Sequence, residues 1–478
     1  MPNQHPYRAA ICTMGCKVNS YESAQIMEAL KQSGFQMVEF HDPADVYIIN
    51  TCTVTQVAAK KSRQMIHRAR TQNPKALVVA TGCYVDRDDE LMLEGVIDLA
   101  VSNQKKEQLV EIVKESLHSI SDHQRPASIS AMRMPTPDSQ EQHIIRMKTR
   151  AVIKIQDGCR QYCSYCIIPF VRGPLKSRPI EEIVEEANQK AQQGYKEIVL
   201  TGIHLSSYGL DWQEISYNAA ERQGIFIGSY LADLILKLQN MQGIERIRLG
   251  SLEPRLITAE FVESLKTATK LCPHFHLSLQ SGSDKTLKAM NRHYTAAEFE
   301  QAVRLLREHF KDAAITTDII AGFPGETEQD HQESLAFAEK IAFAEAHIFP
   351  YSRMEGTVAG ARKDQIPQTV KKQRVRDLLD VTAKSTKAFM DAMQGKTVKL
   401  LLEEQIGERE WIGTTPGYLR VAVCTPDEAR GEAGSTAQAG FHAGEIVTVR
   451  INGYTDARST NHQASGLSQI LKAELTGN

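Results

Sequence analysis

Cys159, Cys163 and Cys166 stand in the spacing C-x3-C-x2-C, which lets one short loop wrap three thiolates around a single metal centre. Structural zinc sites usually close with four ligands, whereas three cysteines on a four-iron cluster leave one iron open to a substrate or cofactor. The run reads as such an open cluster loop, with a zinc knuckle or loose thiols as the other readings. A second set, Cys16, Cys52 and Cys83, is spread over dozens of residues and fits no compact metal motif. Each follows a predicted strand, and the carboxyl ends of neighbouring parallel strands line one crevice. Three thiolates can converge there, and Gly15 and Gly82 would let backbone approach a bulky group. Three buried structural cysteines fit the same pattern. Cys12, Cys272 and Cys424 match neither set and are expected to pack as small apolar side chains.

The elements that must position these thiols are legible as periodic runs. Residues 8–102 alternate apolar strand-like segments (Ala9-Ala10-Ile11, Val46-Tyr47-Ile48-Ile49, Leu77-Val78-Val79-Ala80, Val96 to Val101) with helix-like ones, the rhythm of a parallel α/β sheet. Asn19 is placed to cap a helix beginning at Ser20, and Gly34 to end it. A Ser-, Gln- and Pro-rich stretch over 119–143 has no period and reads as a linker after an amino-terminal domain, 1–118. From 144 to 394 six strand-like runs with helical crossovers, starting with Ala151 to Ile155, predict a partial or full β/α barrel followed by a connecting helix over 368–394. Chemistry in such barrels belongs at the carboxyl ends of the strands, which is where Cys159 follows the first run. Short alternating runs over 395–460 predict a small all-β barrel, with 461–478 as a tail.

The bulk properties exclude several classes. The chain has 478 residues with 56 Lys+Arg against 58 Asp+Glu, so a nucleic-acid partner has to be held by local basic surface. No apolar run is long enough to span a membrane, and Met1 to Pro6 lacks the basic and apolar regions of a signal peptide, so the expected location is cytoplasmic. Nine cysteines, a low and odd count, suit reduced thiols and metal ligands better than a disulfide framework. No Walker loop or Ser-His-Asp order is readable.

Cys159 to Cys166, with Tyr165 before the last cysteine, resembles the cluster motif of the radical S-adenosylmethionine (radical SAM) superfamily. The resemblance extends to the methylthiotransferase family through Thr13 to Glu22, Asn50 to Val54, Thr81-Gly82-Cys83, Leu200 to His204, Leu249 to Pro254, His276 to Ser283 and Asp318 to Thr327. It spans nearly the whole chain, with 119–143 and a seeming insertion at 211–226 outside it. It implies two [4Fe-4S] clusters, one on Cys159, Cys163 and Cys166 that binds SAM, and an auxiliary one on Cys16, Cys52 and Cys83. It further implies that backbone oxygens at Thr201 and Gly202 meet the methionyl amino group and that the turn at Gly322 and Pro324, before a helix capped by Thr327 with Asp330, supports the adenine. Glu253 and Gln280, at strand ends, are expected to hydrogen-bond the ribose or carboxylate of SAM.

The implied reaction begins with one-electron cleavage of SAM to a 5′-deoxyadenosyl radical, since an unactivated aromatic C–H offers no proton for base catalysis. The auxiliary cluster would supply sulfur, methylated by another SAM. Gly15 to Glu22 is most similar to the subgroup acting on N6-threonylcarbamoyladenosine beside the anticodon of tRNA, methylthiolated at carbon 2. Sister groups act on isopentenyladenosine in tRNA or on an aspartate of a ribosomal protein. A reading of another class is a noncatalytic RNA-binding scaffold with structural zinc. The implied partners are tRNA, a reducing electron donor and a sulfur donor, with the β-rich carboxyl domain resembling the RNA-binding TRAM barrel. Lys396 to Arg458 holds seven Lys/Arg against nine Asp/Glu, so phosphate contact there would need a patch such as Arg420, Arg450, Lys371 and Lys372.

Overall fold

The computed structural model describes residues 6–87, 95–121, 149–424, 441–456 and 469–476. The chain divides into two compact units: the first takes Met1–Met147, Gly158–Pro174 and Ser352–Ala361, and the second Lys148–Asp157, Leu175–Tyr351 and Arg362–Asn478.

In the first unit β1 (Arg8–Thr13), β2 (Gln36–Met37), β3 (Val46–Thr51), β4 (Leu77–Gly82) and β5 (Leu99–Val101) form a parallel sheet in the order β2-β1-β3-β4-β5. Every residue of β3 and β4 is buried, as expected of central strands covered on both faces. Helix α1 (Lys17–Gln32) follows β1, and α2 (Gln56–Gln72) follows β3. α1 starts earlier than the sequence suggests: Cys16 is its N-cap, and Asn19, expected to cap it, lies buried in the first turn. Gly34 ends it as expected, at φ +85°. Residues 119–121, assigned to the linker, complete the helix Leu109–Ser121, and 122–143 lie outside the described residues.

The second unit holds six parallel barrel strands, β6 (Arg150–Lys154), β9 (Glu197–Thr201), β10 (Arg246–Leu249), β11 (His274–His276), β12 (Ala314–Ala321) and β13 (Glu345–Pro350); a short hairpin, β7 (Gln156–Asp157) with β8 (Lys176–Ser177), interrupts their sequence. The ladders β10-β9-β6 and β11-β12-β13 are joined by parallel bridges at Ile247–Leu271 and Leu252–Leu277. Among the described residues β6 and β13 do not pair, so the barrel is a partial one. The expected insertion contains the helix Tyr217–Arg222, which buries Tyr217 and Ala220 in the barrel's core.

The helix Gln368–Asp391 leads to a closed barrel of β14 (Thr397–Gln405), β15 (Glu410–Thr414), β16 (Arg420–Cys424), β17 (Ile446–Asp456) and β18 (Gln469–Leu475). β18 lies in the expected tail: it pairs with both β16 and β17, and without it the barrel would have two open edges. Cys424, at the end of β16, is exposed and not packed, whereas Cys12 and Cys272 are buried as expected.

Candidate functional site

The loops after β1, β3 and β4 carry Cys16, Cys52 and Cys83, the edge predicted from strand order. Asn19 Nδ2 donates to Met14 O (2.8 Å) and Thr51 O (2.9 Å), tying the first loop to the second. Ser62 of α2 clamps the Cys52 backbone, its Oγ accepting from Cys52 N (3.1 Å) and donating to Cys52 O (3.0 Å). Gly15 has φ +92°, and a Cβ there would lie 2.7 Å from Cys52 Sγ, so only glycine lets the two loops approach this closely. Cys52 and Cys83 are each 3% exposed and Cys16 is exposed. Burial above all, with the charges of Cys83 and Cys16 adding to it, pushes the Cys52 thiol up to about 11, so the three sulfurs lie within electrostatic reach of one another.

A buried ion network unseen in the sequence borders these thiols. Arg172 Nε donates to Cys83 Sγ (3.3 Å), Nη1 to Glu22 Oε1 (2.9 Å) and Nη2 to Asn19 Oδ1 (2.5 Å). Lys106 Nζ donates to Glu22 Oε2 (2.6 Å), Asn103 Oδ1 (2.7 Å) and Asn50 Oδ1 (3.3 Å). Burial raises the Cys83 thiol, and Arg172 opposes that rise by charge and hydrogen bond. Glu22 lies between the two cations, with Asp86 in charge reach of both, and the hydrogen bond from Arg172 to Cys83 Sγ favours a thiolate there. Glu22 and Arg172 are 150 residues apart, a pairing no local pattern reveals.

Cys159, Cys163 and Cys166 lie on the loop Gly158–Pro174, in the same unit as the other three. Gly158 has φ +65° and would place a Cβ 1.9 Å from Pro174 O, so the loop's two ends close on a glycine. Cys159 N donates to Gly173 O (3.2 Å), Gln161 N to Cys159 Sγ (3.4 Å) and Cys166 N to Cys163 O (3.0 Å), while Tyr162 takes a left-handed φ of +50°. All three thiols are half-buried and no cysteine of the chain is in a disulfide. Among the described residues no three His, Cys, Asp or Glu side chains gather tightly enough to hold a single metal ion. A zinc needs all its thiolates within about 2.3 Å of one point. Three cysteines in each set fall one short of the four ligands of a structural zinc and match a four-iron cluster that keeps one iron open.

In the second unit the remaining expected residues line the carboxyl edge of the partial barrel. Thr201 ends β9, and a Cβ on Gly202 would lie 2.7 Å from Gln156 Oε1, which accepts from His204 N (2.7 Å). Glu253, after β10, is buried and its carboxylate is bound by His204 Nε2 (3.0 Å) and Arg255 Nη2 (3.0 Å), which hold it well below the usual carboxylate range despite burial. Its oxygens are engaged by this ion network at the strand end where Glu253 is expected to hydrogen-bond SAM. Gln280, after β11, has φ +68°, and its backbone pairs with Asp318 O and Ile320 N of β12. Gly322, after β12, has φ +74° and packs on Lys371, where a Cβ would lie 2.4 Å from Cγ. Glu326 closes this turn, accepting from Gly322 N (3.1 Å), Phe323 N (3.2 Å) and Arg374 Nη1 (2.7 Å) over the buried Pro324. Thr327 and Asp330 form the expected capping box. Lys371, expected in a basic RNA patch, is instead buried and donates to Tyr351 O (3.0 Å).

A parallel partial barrel whose first strand leads into three clustered cysteines defines the radical SAM class, and the model of the Radical SAM superfamily matches residues 153–338. The model described as Uncharacterized protein family UPF0004 matches 8–102, the sheet with the other three cysteines. The fold is similar to the radical S-adenosylmethionine methyltransferase TsrM from Kitasatospora setae (TM-score 0.53, 17% identity, 75% of each chain). Threonylcarbamoyladenosine tRNA methylthiotransferase MtaB of Bacillus subtilis (strain 168) is 36% identical over 423 residues, 86% of this chain and 89% of that protein. The Aquifex aeolicus (strain VF5) protein of the same name is 37% identical over 400 residues, 83% of this chain and 93% of that protein. A tRNA-2-methylthio-N(6)-dimethylallyladenosine synthase of Acetivibrio thermocellus is 32% identical over 455 residues, 92% and 87% respectively. The chain belongs to the radical SAM tRNA methylthiotransferase family. SAM and [4Fe-4S] clusters are its cofactors.

Proposed function

We propose that this protein methylthiolates carbon 2 of N6-threonylcarbamoyladenosine next to the anticodon of tRNA, working in the cytoplasm with a reducing electron donor and a source of sulfur. The observation that carries this reading is the 36% identity over 89% of a relative named for that substrate. When bound, a cluster on Cys159, Cys163 and Cys166 supplies the electron for reductive SAM cleavage, and one on Cys16, Cys52 and Cys83 supplies sulfur. The chain's own residues set the conditions. Arg172 donates to the Cys83 sulfur and favours its thiolate, Ser62 fixes the Cys52 backbone, and Gly15 keeps side-chain bulk from Cys52. Gln156 and Glu326 fix the backbone of the turns at Gly202 and Gly322, which are proposed to meet the methionyl and adenine ends of SAM, and no described helix is long and apolar enough to cross a membrane.

Threonylcarbamoylated tRNA, isopentenylated tRNA and the ribosomal protein should be offered to the anaerobically reconstituted enzyme under identical reducing conditions. Preferential turnover of the first is expected, and preference for either other substrate overturns the assignment. The same tRNA with unmodified adenosine should react poorly, because a site built around a polar group leaves partners unpaired without it.

A further inference from the structure

Between Asp45 and Asp86 the sequence has no acidic residue and six cations, Lys60, Lys61, Arg63, Arg68, Arg70 and Lys75, in a chain whose net charge is −2. Five of the six lie on α2. Solvated helices in this protein ordinarily mix signs, as α1 does with Lys17, Glu22, Glu28 and Lys31. A helix of one sign carries a field instead of cancelling it. Not all of its charge is available, because Arg70 is committed to Asp98 (2.6 Å) and Arg63 donates to Tyr84 Oη (2.9 Å). Lys60 and Lys61 are exposed, and among the described residues neither has an ion-pair partner.

The helix is fixed to the sulfur-bearing loops at two points. Ser62, next to Lys61, holds the backbone of Cys52, and Arg63 holds Tyr84, the neighbour of Cys83. Val54 and Val57, at the start of α2, are 49% and 65% exposed, an apolar margin beside the cations. On the Cys159 loop of the same unit, Tyr162 and Phe170 are 56% and 63% exposed and meet edge to face, with rings 6.1 Å apart. Cations that track a backbone together with exposed rings for bases are the chemistry of a nucleic-acid surface.

We infer that the exposed face of α2, through Lys60 and Lys61, binds the sugar-phosphate backbone of the tRNA substrate and delivers the anticodon region to the sulfur-bearing edge of the amino-terminal unit. This rests on the tRNA reading above. It also answers a charge problem. The carboxyl barrel segment is net acidic and Lys371 points inward, which leaves Lys372, Arg420 and Arg450 of that patch and gives α2 a share of the phosphate grip to supply.

The test measures binding of threonylcarbamoylated tRNA to the reconstituted holoenzyme across a salt series, for the parent and for Lys60→Gln with Lys61→Gln. Two lost phosphate contacts should reduce the slope of log affinity against log salt by roughly two and weaken binding by on the order of tenfold to a hundredfold at 0.1 M salt. Iron per chain should not change, and Lys60→Arg with Lys61→Arg should restore both slope and affinity. A parent-like slope and affinity in the Gln pair overturns the inference while leaving the tRNA reading intact. Failure of the parent itself to bind tRNA overturns both.

Discussion

Each unit buries an arginine and carboxylate network, and the two are built for opposite purposes. In the second unit Glu197, on β9, is fully buried between Arg246 and Arg248 of β10 (3.3 and 2.7 Å). Their Nη atoms also reach main-chain carbonyls: Lys399, Thr414, Thr415 and Pro416 of the carboxyl barrel. The hydrogen bonds there end on carbonyls that cannot titrate, and the buried Cys272 thiol nearby meets these arginines by charge alone, which makes the network a static joint between the two barrels. In the first unit the Arg172 guanidinium, besides binding Glu22, donates directly to Cys83, a thiol whose charge depends on whether it is deprotonated. The lesson is that the last partner of a buried network, more than its inventory of charges, decides whether it fixes architecture or prepares chemistry.

The largest effect that sharpens this contrast is Glu197→Gln, which strands two buried guanidiniums; denaturant unfolding should show a loss of about 3–5 kcal/mol, as for other broken buried pairs. Unchanged stability would show that the carbonyls suffice and that the joint is not ionic. Arg172→Gln should cost less, about 1–3 kcal/mol, because Lys106 still compensates Glu22. Its signature should be chemical: faster iron loss to a chelator and a lower reduction potential for one of two clusters, since a hydrogen bond to sulfur is removed. Arg172→Lys should recover part of the potential shift, and an unaltered potential in the Gln variant would reduce Arg172 to packing.

Gly15→Ala and Gly34→Ala both place a side chain at positive φ, but only the first meets a neighbour, Cys52 Sγ. Gly34→Ala should cost about 1 kcal/mol and keep full iron, while Gly15→Ala should yield protein short of iron and acid-labile sulfide. Equal iron in the two would detach Gly15 from the thiol site. The smallest effect is in pH. Glu197 has a folded pKa below its unfolded value, so its contribution is complete above about 4.5 and is lost as pH falls through the folded value. Cys52 runs the other way in iron-free protein: with its thiol at about 11 against 9.0, stability should decline as pH rises through 9 to 11. Urea midpoints at pH 8 and 10, with and without iron, check this, and the decline should vanish once iron holds the sulfurs as thiolates.

Much of this was readable from the chain. Cys159 to Cys166 announce themselves by spacing, and Cys16, Cys52 and Cys83 by each following a strand whose order in a parallel sheet is predictable. What was not readable depended on distant partners. Arg172 looks like any arginine after a short helix until Glu22, Asn19 and Cys83 surround it. Lys371 reads as part of a basic surface patch, yet it packs on Gly322 and is buried, beside Arg374, which is bound to Glu326. β18 was lost because its partners β16 and β17 are what make Gln469–Leu475 a strand, and the ion pairing of Glu253 was not legible because strand-end position says nothing of His204 and Arg255 beside it.

The amino-terminal unit is discontinuous in sequence, and this sets an order on its manufacture. Cys83 packs against Ile167, Val171 and Met354, and Gln56 N donates to Ser352 Oγ across 296 residues. The sheet that bears three of the cysteines can form early, while the ribosome is still far from Met354, but its sulfur-bearing edge stays uncovered until then. Oxidation or capture of the wrong metal is therefore a hazard of synthesis more than of the finished enzyme. A fragment ending near residue 118 should fold its sheet and still be a poor vessel for iron, because the residues that shelter Cys83 have not yet been made.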